Sequence, residues 1–213
     1  MAKPRSPKGR ARLTHERLAL EYPEAYCELD HRNAFELLVA TILSAQATDV
    51  GVNKATPALF AAFPDPWVLA AVEASEVEPY VSSIGLFRQK SKNLVKMARI
   101  LVAEHQGEVP STMRDLVRLP GVGRKTANVV RSVALGLPGL PVDTHVTRLS
   151  NLLRLTDETD AVKIEYALNP LVPAAQRGEF SLRMILHGRR VCIARRPRCG
   201  DCVLNDFCPS SQL

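Results

Sequence analysis

Leu119 to Lys125 reads Leu-Pro-Gly-Val-Gly-Arg-Lys, and few backbones accept that order. Two glycines one residue apart, directly after Pro120, specify a tight turn, because glycine enters positive-φ conformations without a Cβ clash. Amphipathic runs flank the turn, Thr112 to Leu119 before it and Arg124 to Leu135 after it. The segment is predicted to be a helix, a hairpin and a second helix. Its glycines let backbone N–H groups converge at a helix N-terminus, where an anion such as a phosphate can sit. Lys125 opens the second helix, and Asp143 follows 18 positions later within Pro141-Val142-Asp143-Thr144-His145. This order points to a phosphate grip beside an amine and a carboxylate.

Helix signals fill the rest of the chain, with almost no strand candidate. Thr14 caps a short predicted helix that ends before Pro23. Asn33, with Glu36 three residues later, has the form of a capping box and opens a helix from Phe35 to Ala47. That run is apolar nearly all round, so it is expected at the centre of a core. Thr48 or Asp49 caps the next helix, which Pro57 is expected to break or restart. Asp65-Pro66 gives a cap followed by proline at the first helical position. Ser75 and Glu78 form a second predicted capping box, and Gly85 ends that helix. Phe87 to His105 reads as a long helix burying Leu94, Ala98, Leu101 and Val102, with Arg88, Lys90, Lys92, Lys96 and Arg99 on a solvated face. Asp143 occupies the N-cap position before a helix from His145 to Leu155. Asp160 to Leu168 and Glu179 to Arg190 supply two more. The fold class is all-α, with about ten short helices and short connections.

Charge narrows the partner. The 213 residues carry a formal net charge of +6 and an isoelectric point of about 9.2, which favours a polyanion. Aromatic residues make up only 5%, which argues against stacking platforms for single strands. No apolar run approaches the roughly 20 residues that span a bilayer, and the basic N-terminus lacks the apolar region of a secretory signal. A protein of the cell interior with no membrane partner is expected. Lys3, Arg5, Lys8, Arg10 and Arg12 lie among prolines and a glycine, so residues 1–12 are predicted to be a disordered, solvated arm.

Four of the five cysteines crowd one segment, as Cys192-x6-Cys199-x2-Cys202-x5-Cys208. A disulfide scaffold spreads its cysteines through a small secreted domain, whereas clustering in such a chain points to metal. Four thiolates suit zinc or an iron–sulfur cluster. Zinc sites commonly pair two C-x2-C knuckles across a longer spacer, and this segment has one. A loop wrapped around a [4Fe–4S] cube fits better, while spacing alone leaves zinc open. Arg195, Arg196 and Arg198 lie between the first two ligands and either hold phosphates or offset the charge of the thiolates. Cys27 stands apart and reads as a small buried hydrophobe.

Hairpin, lysine, aspartate and cysteine spacing together resemble the endonuclease III family of helix-hairpin-helix DNA glycosylases. The likeness runs from about residue 13 to Cys208. It includes Phe35 to Thr56, Ile84 to Leu86, Gly107 to Pro110, Leu119 to Val130, Val142 to His145, and Ile185 to Arg189 running into the cysteines. The resemblance implies two α-helical domains with a DNA groove between them. One spans residues 27–137 and contains the helix-hairpin-helix (about 112–135). The other joins residues 1–26 to 138–213 and carries the cluster loop (192–208). It implies a [4Fe–4S] cluster on Cys192, Cys199, Cys202 and Cys208 that is structural and DNA-positioning. The implied partner is double-stranded DNA containing damaged pyrimidines or abasic sites, and the implied protein is a cytoplasmic bacterial monomer associated with the nucleoid through DNA.

The resemblance also assigns roles. Lys125 attacks the anomeric carbon of a flipped nucleotide, expels an oxidised pyrimidine of the thymine glycol type and forms a Schiff base. β-Elimination from that imine then nicks the strand 3′ to the abasic site. A lowered lysine pKa is needed, supplied by burial or by positive charge at a helix N-terminus. Asp143 stabilises the developing oxocarbenium charge and activates the amine. Gln46 and Leu86 fill the gap left in the duplex, Leu86 as an apolar wedge; read alone, they are a helix-end polar residue and ordinary core. Gly121, Val122 and Gly123 offer backbone to phosphate, with Arg124 and Thr126 nearby, and His145 orients the site or binds backbone. After the wedge, Phe87-Arg88-Gln89 departs from the bacterial archetype, which leaves the lesion range open. A monofunctional mismatch or base glycosylase is the nearest alternative, but those branches generally lack the lysine. A non-catalytic DNA-binding or redox-sensing scaffold is the more distant one.

Overall fold

The computed structural model describes residues 4–213; the expected arm therefore lies partly outside the described residues, at Lys3 and its neighbours. Every regular element among the described residues is helical, and none is long and apolar enough to cross a membrane. The chain divides into two compact units, Cys27–Leu137 and Met1–Tyr26 with Pro138–Leu213.

The Cys27–Leu137 unit is built on α2 (Ala34–Leu43), whose side chains from Phe35 to Leu43 are all buried. Asn33 caps it by accepting from the Glu36 N–H at 2.9 Å. The box is only half made, since Glu36 accepts from the Arg32 backbone at 2.7 Å instead of from Asn33. Around α2 lie α3 (Asp49–Ala62), α4 (Pro66–Ala70), α5 (Ala74–Val81), α6 (Phe87–His105), α7 (Met113–Leu116) and α8 (Arg124–Val129). Leu37, Leu38, Leu43, Leu94, Met97 and Leu101 are fully enclosed in one cluster. Each such side chain contributes about 1.5–3 kcal/mol by leaving water, which explains why an apolar α2 sits at the centre.

The other unit contains α1 (Pro7–Glu21), α9 (Thr144–Leu152), α10 (Ala161–Leu168) and α11 (Arg177–Arg190). Its core holds Leu18, Leu140, Val146, Ile164, Leu168, Phe180 and Met184. Helix α11 packs against both α1 and α9.

Several expectations are corrected. Ser6 caps α1 through its side chain, with Pro7 in the first turn, so the second half of the predicted arm is helix and Thr14 is a buried interior residue rather than a cap. Arg10 explains why a basic stretch orders. Its guanidinium donates to the carbonyls of Leu153 at 2.7 Å and Arg154 at 2.6 Å, capping the C-terminal end of α9. Pro57 neither breaks nor restarts α3; buried Val52, Ala55, Leu59 and Phe60 hold the helix together on both sides of it, outweighing a cost of about 3 kcal/mol. The second capping box is Glu73 with Glu76 rather than Ser75 with Glu78, and its helix ends at Val81, ahead of Gly85. The helix after the hairpin changes to a π turn over Val130–Ala134, a local widening often found at functional sites.

Candidate active site

The hairpin forms as its glycines require. Gly121 has φ +82°, and a Cβ there would lie 3.1 Å from both Ile42 Cγ2 and Asn93 Nδ2, so the bare backbone lets the turn seat on α2 and α6. Val122 tucks its side chain into the core, and its N–H donates to Leu119 at 3.0 Å. Gly123 is extended and stands at the N-cap of α8 with no side-chain hydrogen bond to the first turn. A Cβ at Gly123 would meet nothing within 4 Å. The first turn of α8 thus opens onto free space with its partial positive charge. Lys125 and Thr126 follow in that turn, and Lys125 is exposed. Within its unit this amine is therefore not enclosed by burial, and it stands in the first turn of α8.

Gln46 and Leu86 share one unusual property. Both are non-glycine residues in the left-handed region, at φ +56° and +60°, which costs about 1–3 kcal/mol per residue and persists only where surroundings enforce it. Gln46 is exposed, and Leu86 is 63% exposed. The ordinary-core reading of Leu86 is overturned: this leucine is held out of the core. The two loops are neighbours, since a Cβ built on Gly85 lies 3.9 Å from the Gln46 carbonyl oxygen.

Asp143 caps α9 with one oxygen. Its Oδ1 accepts from the N–H groups of His145 and Val146, each at 2.8 Å, and Oδ2 takes no part in the cap. His145 packs its ring on Gly188 of α11, where a Cβ would stand 2.8 Å from His145 Cβ and 2.9 Å from Nδ1. Burial holds the His145 pKa down, with Asp143 pulling upward and Arg148 and Arg189 adding to the depression. Arg148, which sequence reading missed, ties the region together by donating to the carbonyls of Gly188 at 3.0 Å and Cys192 at 2.7 Å.

All four clustered cysteines are free thiols and line one cavity of about 200 Å³. A water's share of liquid volume is roughly 30 Å³, so this space suits a multi-atom group. Among the described residues no three His, Cys, Asp or Glu side chains close around a single ion. Four free thiols around a space of this size fit a multi-iron cluster. Burial raises the thiol pKa of Cys192 and Cys208 and pushes that of Cys202 up to about 11; holding a metal group requires them as thiolates. His187, also missed from sequence, is buried with Nε2 3.3 Å from Cys202 Sγ and Nδ1 3.2 Å from the Tyr22 hydroxyl. Arg195 and Arg198 line the cavity, whereas Arg196 lies outside its wall. All three are exposed, and Arg198 donates to the Arg190 carbonyl.

Comparison with known proteins agrees with this chemistry. Residues 39–174 match the model of the HhH-GPD superfamily base excision DNA repair protein, and residues 192–208 match the iron–sulfur binding domain of endonuclease III. Fold and site thus define a helix-hairpin-helix DNA glycosylase of base excision repair. Endonuclease III of Synechocystis sp. is 52% identical, across 90% of this chain and 88% of that protein. A non-covalent endonuclease III–DNA complex superposes with a TM-score of 0.89 at 42% identity, covering 95% of each chain. A trapped endonuclease III–DNA covalent intermediate gives 0.89 at 43% identity, covering 95% of this chain and 96% of that one. The chain belongs to the endonuclease III family. It is a DNA N-glycosylase and abasic-site lyase, its cofactor is a [4Fe–4S] cluster, and DNA is its partner.

Proposed function

We propose that this protein removes oxidised pyrimidines of the thymine glycol type from double-stranded DNA and nicks the resulting abasic site through a Schiff base on Lys125. The observation that carries the reading is Lys125 itself, an exposed amine in the first turn of α8 directly after an uncapped glycine hairpin. The hairpin backbone at Gly121, Val122 and Gly123, with Arg124 and Thr126, grips phosphate. Lys125 attacks the anomeric carbon and the base leaves with the amine's first proton; the second amine proton passes to the ring oxygen as its bond to the anomeric carbon breaks, which opens the sugar and gives the imine. Loss of the adjacent sugar proton then breaks the carbon–oxygen bond on the 3′ side, and water releases the lysine. Asp143 Oδ1 remains with α9 while Oδ2 serves the amine and the developing oxocarbenium charge.

Gln46 and Leu86 occupy the gap left by the flipped nucleotide, His145 orients the site, and Arg195, Arg196 and Arg198 add phosphate contacts. Cys192, Cys199, Cys202 and Cys208 hold the cluster. When bound it supplies cross-linking of the loop rather than glycosidic chemistry. The protein works as a monomer in the cytoplasm, at the nucleoid through its DNA contacts.

The test uses duplexes carrying thymine glycol or a preformed abasic site, with borohydride added during turnover. The expected result is a covalent protein–DNA complex that disappears in Lys125→Ala. Base release without trapping or nicking would instead make this a monofunctional glycosylase. Neither release nor trapping across oxidised pyrimidines would leave a DNA-binding scaffold.

A further inference from the structure

Lys90 departs most from its sequence expectation. The sequence pattern puts it on the solvated face of α6, yet it is only 4% exposed, and its Nζ donates to the Leu43 carbonyl at 2.9 Å. Leu43 is the last residue of α2, three positions before Gln46. Lys90 itself lies one turn into α6, and its backbone N–H donates to the Leu86 carbonyl at 3.0 Å. One residue therefore holds the helix end that presents Gln46 and the helix start that presents Leu86. Among the described residues no carboxylate is paired with this amine, and burial alone depresses its pKa. An apolar side chain of similar length would fill the space without that desolvation cost, so packing does not explain a lysine here. What an ammonium supplies is a strong donor to an unsatisfied carbonyl at the negative end of a helix.

We propose that Lys90 is a positioning residue for lesion recognition: it clamps the Gln46 loop to the Leu86 loop, holding both strained residues out as one rigid intercalating element. This rests on the roles proposed above for Gln46 and Leu86. The left-handed backbones of both residues, and the approach of Gly85 to the Gln46 carbonyl, are the strain and closeness such a clamp maintains. Lys90 takes no part in the chemistry at the sugar.

The test compares full-length, cluster-loaded wild type with Lys90→Met and Lys90→Arg. The probe is a duplex bearing a non-cleavable tetrahydrofuran abasic analogue with 2-aminopurine as the orphaned base. Lys90→Met should bind it about tenfold more weakly, the size of one charge-assisted hydrogen bond, and should perturb the 2-aminopurine fluorescence less. On a preformed abasic site KM should rise while kcat at saturation stays within about twofold, since one positioning contact is removed and the reacting groups are not. Lys90→Arg, which keeps a donor, should recover part of the binding. In a double-mutant cycle, Gln46→Ala should cost less in the Lys90→Met background than in wild type. Wild-type affinity and fluorescence in Lys90→Met, or additive Gln46→Ala effects, would overturn the clamp. Should Lys90→Met fail to fold, the same cycle run in Lys90→Gln, which shortens the side chain and removes its charge, decides: coupling to Gln46 supports the clamp and additivity overturns it. If wild type itself is not trapped by borohydride, the lysine–Schiff-base reading fails instead, a separate outcome.

Discussion

Asp143 is asked to do two things, and its two oxygens allow them to be separated. Oδ1 accepts both cap hydrogen bonds, from His145 and Val146 at 2.8 Å, and Oδ2 is the oxygen to which the proposed chemistry is assigned. Asp143→Asn keeps an oxygen for the cap and removes the negative charge; Asp143→Ala removes both. Losing a well-formed N-cap costs about 1–2 kcal/mol, while losing only the charge at a helix N-terminus costs about 0.3–1 kcal/mol. At roughly 2–4 °C per kcal/mol for a chain of this size, Asp143→Ala should melt about 2–8 °C lower and Asp143→Asn about 1–4 °C lower. The rate of borohydride trapping on an abasic duplex should fall alike in both, by about 10²–10⁴-fold, the range for a lost acid–base group. Thermal unfolding by circular dichroism and single-turnover trapping on the same preparations give both numbers. Trapping at the wild-type rate in Asp143→Asn would show that the charge is not needed. Equal melting losses in the two variants would refute the one-oxygen cap.

Two further perturbations address the scaffold and the cofactor. Gly107, at φ +78°, lies against the Trp67 ring, which a Cβ would penetrate; Gly107→Ala should destabilise by about 1–3 kcal/mol, read by urea unfolding, and an unchanged midpoint would contradict the packing of α4 on α6. Cys202→Ser should deplete the brown absorbance at about 400 nm expected of cysteine-ligated iron–sulfur and the iron content, whereas Cys27→Ser, outside the cavity, should keep both; a colourless wild-type preparation with stoichiometric zinc would contradict the cluster.

Much of this molecule is legible where the signal is local. Asn33, Thr48, Asp65, Asp143 and Asp160 all cap helices through their side chains, because a cap needs only the residue and the first turn. The glycine hairpin and the cysteine spacing are likewise short-range patterns. What escaped depends on distant partners. Arg10 in a basic stretch looks like tail until the Leu153 and Arg154 carbonyls appear beside it. Lys90 looks solvated until α2 ends against it. His187 and Arg148 carry no local mark of their bonds to Cys202 and to the Cys192 carbonyl. The displaced capping box shows another limit: Glu73 fills a cap position that residue preference assigns to serine or threonine.

The central claim is that Lys125 forms the covalent bond to DNA. The most direct measurement is mass spectrometric mapping of the borohydride-reduced adduct after proteolysis and nuclease digestion. A single modified peptide is expected, with the reduced sugar fragment on Lys125, and no adduct in Lys125→Ala despite normal folding and cluster content. An adduct of equal yield on another lysine or on the N-terminal amine, or one that persists in Lys125→Ala, would contradict it.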